Sequence, residues 1–308
     1  MGELASDMGG VGKRTTRGEV LISRMLGRAR VWRGLGLIGN TGIFICGVFC
    51  LAAIFGPRVV PVNANSLVAT PFLRPSFHFW FGTDELGRSE LSRVIVAARI
   101  GVLAAVESVA VGILIGTPMG VVAGYFGKVA DEILARLMDL LFSIPGTLLA
   151  IVVVVALGSG LTHATLALGI VFAPQFGRIA RTATIEIRGR AYVEAARLAH
   201  RGNIWIIVRH VLPNIATPLS VMVGLTLSNA EGSYAVLSYL GFGVAPPTPD
   251  YGTMLFSAQG YLTADPWLIV FPSIALVLLI FGFLFLGDWL RERLDPQNKV
   301  FAGVSARR

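Results

Sequence analysis

The chain has 308 residues, 54% of them apolar and only 14% charged, with 36 glycines and a formal net charge of +8 at pH 7. That is too little charge for a soluble globule of this length, and it places the chain in a bilayer. A basic excess on a membrane protein reads as loops obeying the positive-inside bias, which argues against a nucleic-acid partner.

Residues 1–34 form a polar, basic tail running through Lys13, Arg14, Arg17, Arg24, Arg28, Arg30 and Arg33. No convincing cleavage pattern follows the first apolar run, so that run reads as an uncleaved anchor. Two phosphate-loop lookalikes fail. GGVGKRTT at 9–16 has Asp7 and Arg14 where the pattern needs Gly and Ser or Thr, and GLGLIG at 34–39 has no strand before it.

The first span is Leu35 to Gly56, 22 residues without a formal charge, enough to cross a hydrocarbon core about 30 Å thick. Cys46 and Cys50 lie four apart on one face of it and are expected to pack in the core. An extracytoplasmic loop completes the segment 35–99. The membrane core, 100–287, opens with span two, Ile100 to Phe126, broken only by Glu107. Its Gly112, Gly116, Gly120 and Gly124 recur every fourth residue, a face for close helix packing.

Leu140 to Gly177 carries no acid or base over 38 residues, which as one helix would be nearly twice the hydrocarbon thickness. It must fold back, with LGSGLTH at 157–163 as the turn. Span five, Asn214 to about Gly243, holds Glu231, and span six is Pro266 to Gly287, followed by a tail at 288–308. The expectation is an all-α membrane protein with six transmembrane helices and both termini cytoplasmic. That topology puts 21 of the 26 lysines and arginines inside and 5 outside.

Glu107 and Glu231 are the formal charges well inside spans, and carboxylates there are functional candidates by default. His78 and His163 are too isolated to make a metal site, and no catalytic constellation or cofactor site emerges. Ser159 and His163, four apart, would suit a hydrolase only at membrane depth, whereas both fall in an outer turn. A proton-coupled transporter would show internal repeats with paired broken helices, and none is found.

The cytoplasmic segment of about 183–213 is the most informative. Tyr192, Ala195, Ala196 and Ala199 recur at helical spacing beside Glu194, Arg197 and Arg201. Gly202 is expected to turn the chain sharply, and Pro213 to end a second short helix before span five. Alanines let a partner approach closely, and the charges set its register.

Glu194, Ala195, Ala196, Leu212 and Pro213 resemble the EAA loop of permease subunits of ATP-binding-cassette importers. The family's glycine falls at His200 here, with Gly202 two residues later. FGTDELGRSELSRVIVAARI, GYFG, SYLGFGVAPPTPDYGTML, DPWLIVFPSIAL and LGDWLRERLDP, in that order, resemble the C-type permease of the dipeptide, oligopeptide and nickel importer family. The resemblance implies a type I importer permease fold in the inner (cell) membrane, with cargo a dipeptide, an oligopeptide or a nickel chelate. It also implies a homologous B-type permease, two ATP-binding subunits or domains that hold ATP and Mg, and an extracytoplasmic peptide-binding protein. This chain would bind no cofactor and hydrolyse nothing; it would form half the path. Tyr234 stands where relatives place an acid, one turn after Glu231, so Glu107, Glu231 and Tyr234 are the candidate path residues.

Overall fold

The computed structural model describes residues 39–60 and 62–294. The tail at 1–34 and residues 295–308 of the C-terminal tail lie outside them. The regular elements of the described residues are helices, and two isolated β-bridges, Leu67 to Arg88 and Thr83 to Ser89, fold the loop before the second helix.

Helix α1, Gly39–Val59, crosses beside the last helix, where a side chain at Gly42 would collide with Phe285. Cys46 is buried as expected, but Cys50 is on the exposed side of α1. Helix α2, Glu90–Phe126, begins ten residues before the expected span. Its 37 residues make about 55 Å, so it projects beyond the hydrocarbon. Ser89 caps it, and the extension is anchored by Asp84, which accepts from Arg88 Nε at 2.6 Å and from the Arg88 and Leu86 amides.

The charged segment between the second span and the charge-free stretch is helical. Helix α3, Lys128–Ser143, turns by 96° at Ile144 and Pro145 into α4, Gly146–Leu157. Ile144 is extended, the conformation favoured before proline, so the charge-free stretch breaks there as well as at the expected glycine turn. Helix α5, Leu161–Arg188, follows that turn. It packs along the glycine face of α2, where a Cβ at Gly116 would meet the Ala173 carbonyl and one at Gly120 the Gly177 carbonyl. Backbone-to-backbone contact of this kind needs glycine.

A short α6, Ala191–Leu198, and α7, Asn203–Ile206, lead through a π turn at Ile207–Val211 into α8, Leu212–Tyr239. Asn203 to Tyr239 is therefore one helix of 37 residues, and Pro213 does not end it. The proline ring would clash with the carbonyl four residues back; the wider turn, with the Leu212 amide donating to the Ile207 carbonyl, removes that conflict. Helix α9, Tyr251–Ala258, lies across the end opposite the α6 loop, and α10, Trp267–Leu294, returns along α8. These two cross with Gly224 against Gly287.

Of the six expected spans, four described helices are individually long and apolar enough: α1, α2, α7 to α8, and α10. The bent α3 and α4 make a fifth only as a pair. Helix α5 has the length, at 28 residues, but carries Arg178 and Arg181 on it.

Candidate functional site

The α6 loop is built onto the ends of α2 and α5. The Arg188 guanidinium donates to the carbonyls of Gly124 at 2.9 Å and Tyr125 at 3.3 Å, closing the last turn of α2. The Tyr125 hydroxyl donates to Asn203 Oδ1 at 3.1 Å, and the Arg197 guanidinium lies 5.2 Å from the Tyr125 ring centroid. Beside this junction Arg181 pairs with Asp131, and Arg178 donates to Asp139 at 2.6 Å, fixing α3 against α5.

Within α6 the faces are unequal. Val193 and Ala196 point inward at 0% and 9% exposure, whereas Glu194, Ala195 and Leu198 face out, Leu198 at 80%. The structure thus separates Ala196 from the outward pair Glu194 and Ala195. The Glu194 carboxylate makes no hydrogen bond or ion pair among the described residues. Leu198, one turn from it, is joined by Ile204 and Val208 as exposed apolar residues of the same loop, Ile204 at 79% exposure.

Helix α6 ends in a Schellman motif: the Arg201 amide donates to the Ala196 carbonyl and the His200 amide to that of Arg197. The left-handed residue in this motif is His200, at φ 53°, where the resemblance sets a glycine. Gly202, expected to make the turn, is extended at φ −62° with open space around it. Leu212 and Pro213 are exposed at the start of α8, and Asn214 Nδ2 donates to the His210 carbonyl at 2.6 Å, serving a backbone oxygen near the proline. A hollow of about 880 Å3 between the ends of α5, α8 and α10 is lined by Glu186, Arg190, Tyr192, Asn214 and Arg291.

Of the candidate path residues, Glu107 is half-buried on α2 and accepts from the Thr165 hydroxyl at 3.1 Å. Glu231 is 1% exposed, set against Gly101 of α2 and Leu279 of α10, and its Oε2 has no hydrogen-bond partner among the described residues. Tyr234 is buried beside it at 2% exposure. One turn further on α8, the Ser238 hydroxyl donates to Asp250 Oδ1 at 2.6 Å, and the Tyr251 hydroxyl donates to the Val94 carbonyl at 3.2 Å. Burial pushes the Asp250 carboxyl above its ordinary range, opposed by the bond from Ser238. The cluster ties α8 to α9 and α2, away from any open surface.

Sequence reasoning missed the opposite face of α8. Asn229 and Ser233, with Thr147 and Gln175, border a hollow of about 330 Å3 between α4, α5 and α8. The available signal was a pair of neutral polar residues four apart in an apolar run, which a search for charges passes over.

Residues 116–300 match the family model described as binding-protein-dependent transport system inner membrane component. Similar relatives include the dipeptide transport system permease protein DppC of Alkalihalophilus pseudofirmus, 35% identical over 84% of this chain and 85% of that one. The di/tripeptide transport system permease protein DppC of Pseudomonas aeruginosa is 37% identical over 86% and 89%. The glutathione transport system permease protein GsiD of Pectobacterium atrosepticum is 39% identical over 84% and 86%. In three dimensions a chain of the inward-facing MetNI methionine ABC transporter superposes at a TM-score of 0.55, with 21% identity, covering 67% of this chain and 97% of that one. The fold is therefore that of a type I importer permease, and the chain belongs to the family of binding-protein-dependent transport system inner membrane components.

Proposed function

We propose that this chain is the C-type permease subunit of an ATP-driven importer of short peptides, and that the α6 loop passes ATPase movement into the membrane helices. The observation that carries this reading is the outward face of α6. An unpaired carboxylate, Glu194, stands beside a small residue, Ala195, and an apolar one, Leu198, on a helix fastened to α2 and α5. Such a face suits a protein groove, since it offers close approach, one charge-assisted bond and apolar contact.

The peptide cargo rests on the relatives named for dipeptides, di/tripeptides and glutathione. In this reading the tails at 1–34 and 288–308 and the loop at 183–213 face the cytoplasm. Segment 35–99 contributes the first helix and an outer loop, and 100–287 forms the permease core. Two ATP-binding subunits hold ATP and Mg, a B-type permease supplies the other half of the path, and a peptide-binding protein delivers cargo outside.

His200, Gly202, Leu212 and Pro213 shape the loop, and Ala196 seats it. Glu231 and Tyr234 act from behind the path, holding α8 in place, and Glu107 ties α2 to α5 through Thr165. The test is co-purification of this chain with both ATPases and the B-type permease, followed by hydrolysis assays with loaded binding protein. Short peptides should stimulate hydrolysis; stimulation by a non-peptide solute alone would contradict the cargo assignment.

A further inference from the structure

We infer that the hollow between α4, α5 and α8 is a charge-neutral contact site for the backbone amides of a peptide in transit; this rests on the peptide reading above. Asn229 lies midway along α8, and its side chain is exposed at that depth. An amide exposed at mid-membrane faces water or protein, because lipid leaves its donors and acceptors unserved. Ser233 lies one turn on, Gln175 faces the same hollow from α5, and Thr147 from the first turn of α4.

None of these four side chains has a hydrogen-bond partner among the described residues, and Gln175 Oε1 is buried without one. Buried polar atoms are almost always paired, so an orphan aimed at a hollow calls for a partner from outside the fold. The hollow, about 330 Å3, falls within the range of small-molecule sites, about 300 to 1,000 Å3. Its remaining wall is apolar, with Leu168 and Phe172.

The ligand chemistry follows from the donor and acceptor set. Asn and Gln each present a carbonyl and an N–H pair, the groups a peptide bond presents in reverse, and Ser and Thr both donate and accept. No charged residue lines the hollow. Glu231 is two residues from Asn229, about 200° around the helix, and is buried against α2 and α10. A surface of this kind reads the backbone that all peptides share and is indifferent to the charge of their side chains. It accounts for the placing of Glu231 behind α8, where it cannot hold a cationic peptide or repel an anionic one.

The experiment places charge at the site after assembly. Asn229→Cys, in a background of Cys46→Ser and Cys50→Ser, is purified with its partner subunits. It is then modified with methanethiosulfonate reagents bearing a sulfonate or a trimethylammonium group, and uptake of acidic, neutral and basic dipeptides into vesicles is compared. Before modification the ratio of acidic to basic uptake should equal that of the cysteine-replaced parent. The anionic adduct should shift it toward basic peptides about fivefold, the factor expected for one contact charge pair in watery surroundings. The cationic adduct should shift it the other way. An unchanged ratio with both adducts, or failure of either reagent to reach the cysteine, would overturn the inference while leaving the importer reading standing. A parent complex that imports a non-peptide solute and no peptide would overturn both.

Discussion

The hydroxyl of Tyr125, at the last turn of α2, donates to Oδ1 of Asn203, the first residue of α7, at 3.1 Å. These residues are 78 apart in sequence, and the bond joins the end of α2 to the start of the helix that continues as α8. Removing the hydroxyl with Tyr125→Phe keeps the ring under Arg197 and loses one hydrogen bond, worth about 0.5 to 1.5 kcal/mol net. The complex should assemble, and peptide imported per ATP hydrolysed should fall. Measuring both rates on the same vesicles checks this; a normal ratio would show that the bond carries no coupling.

His200 is in the left-handed region at φ 53° and Gly202 is not. An L-residue is strained there and glycine is not, although glycine gives more entropy to the unfolded chain. His200→Gly should therefore stabilise the loop by about 0.5 to 1 kcal/mol and raise the unfolding temperature by about 2 °C. Gly202→Ala should change little, since nothing lies within 4 Å of the position its Cβ would take. Thermal unfolding of the purified complex separates the two variants; destabilisation by His200→Gly would contradict the account.

Helices α2 and α5 touch through backbone at Gly116 and Gly120. Gly120→Leu should force them apart and abolish recovery of a monodisperse complex, whereas Gly47→Ala, in open space on α1, should be neutral. Size-exclusion yield of the detergent-solubilised complex measures both.

Much of the membrane architecture was legible because it depends on length and on single residue types. Uncharged runs located the apolar helices α1, α2, α8 and α10, and glycine spacing located the α2 face that meets α5. The bend at Ile144 and Pro145 was hidden in a stretch whose composition does not change across it. Pro213 was misread because a π turn, a backbone device with no side-chain signature, lets the helix pass through. The sharp turn is expected at Gly202 because glycine is the residue freest to make one, but the turn's hydrogen bonds are set by where α6 ends, which puts its left-handed residue at His200.

Alanine spacing marked α6 as a helix but could not say which alanine faces the body, since Ala195 and Ala196 are adjacent and alike. Glu231 stood out as a charge, whereas Asn229 and Ser233, on the face that opens to the hollow, did not.

The central claim is that the outward face of α6 docks on the ATPase, and the most direct measurement is peptide-stimulated ATP hydrolysis by complexes carrying Glu194→Ala or Ala195→Trp. Glu194→Ala removes a charge-assisted bond worth about 1.5 to 3 kcal/mol, and Ala195→Trp adds bulk on an exposed position of α6 that permits it in the free chain. Both variants should insert and pair with the B-type permease as the parent does, and both should release the ATPases in a pull-down or hydrolyse ATP without stimulation by peptide. Parental ATPase retention together with parental stimulation in both variants would contradict the docking of α6.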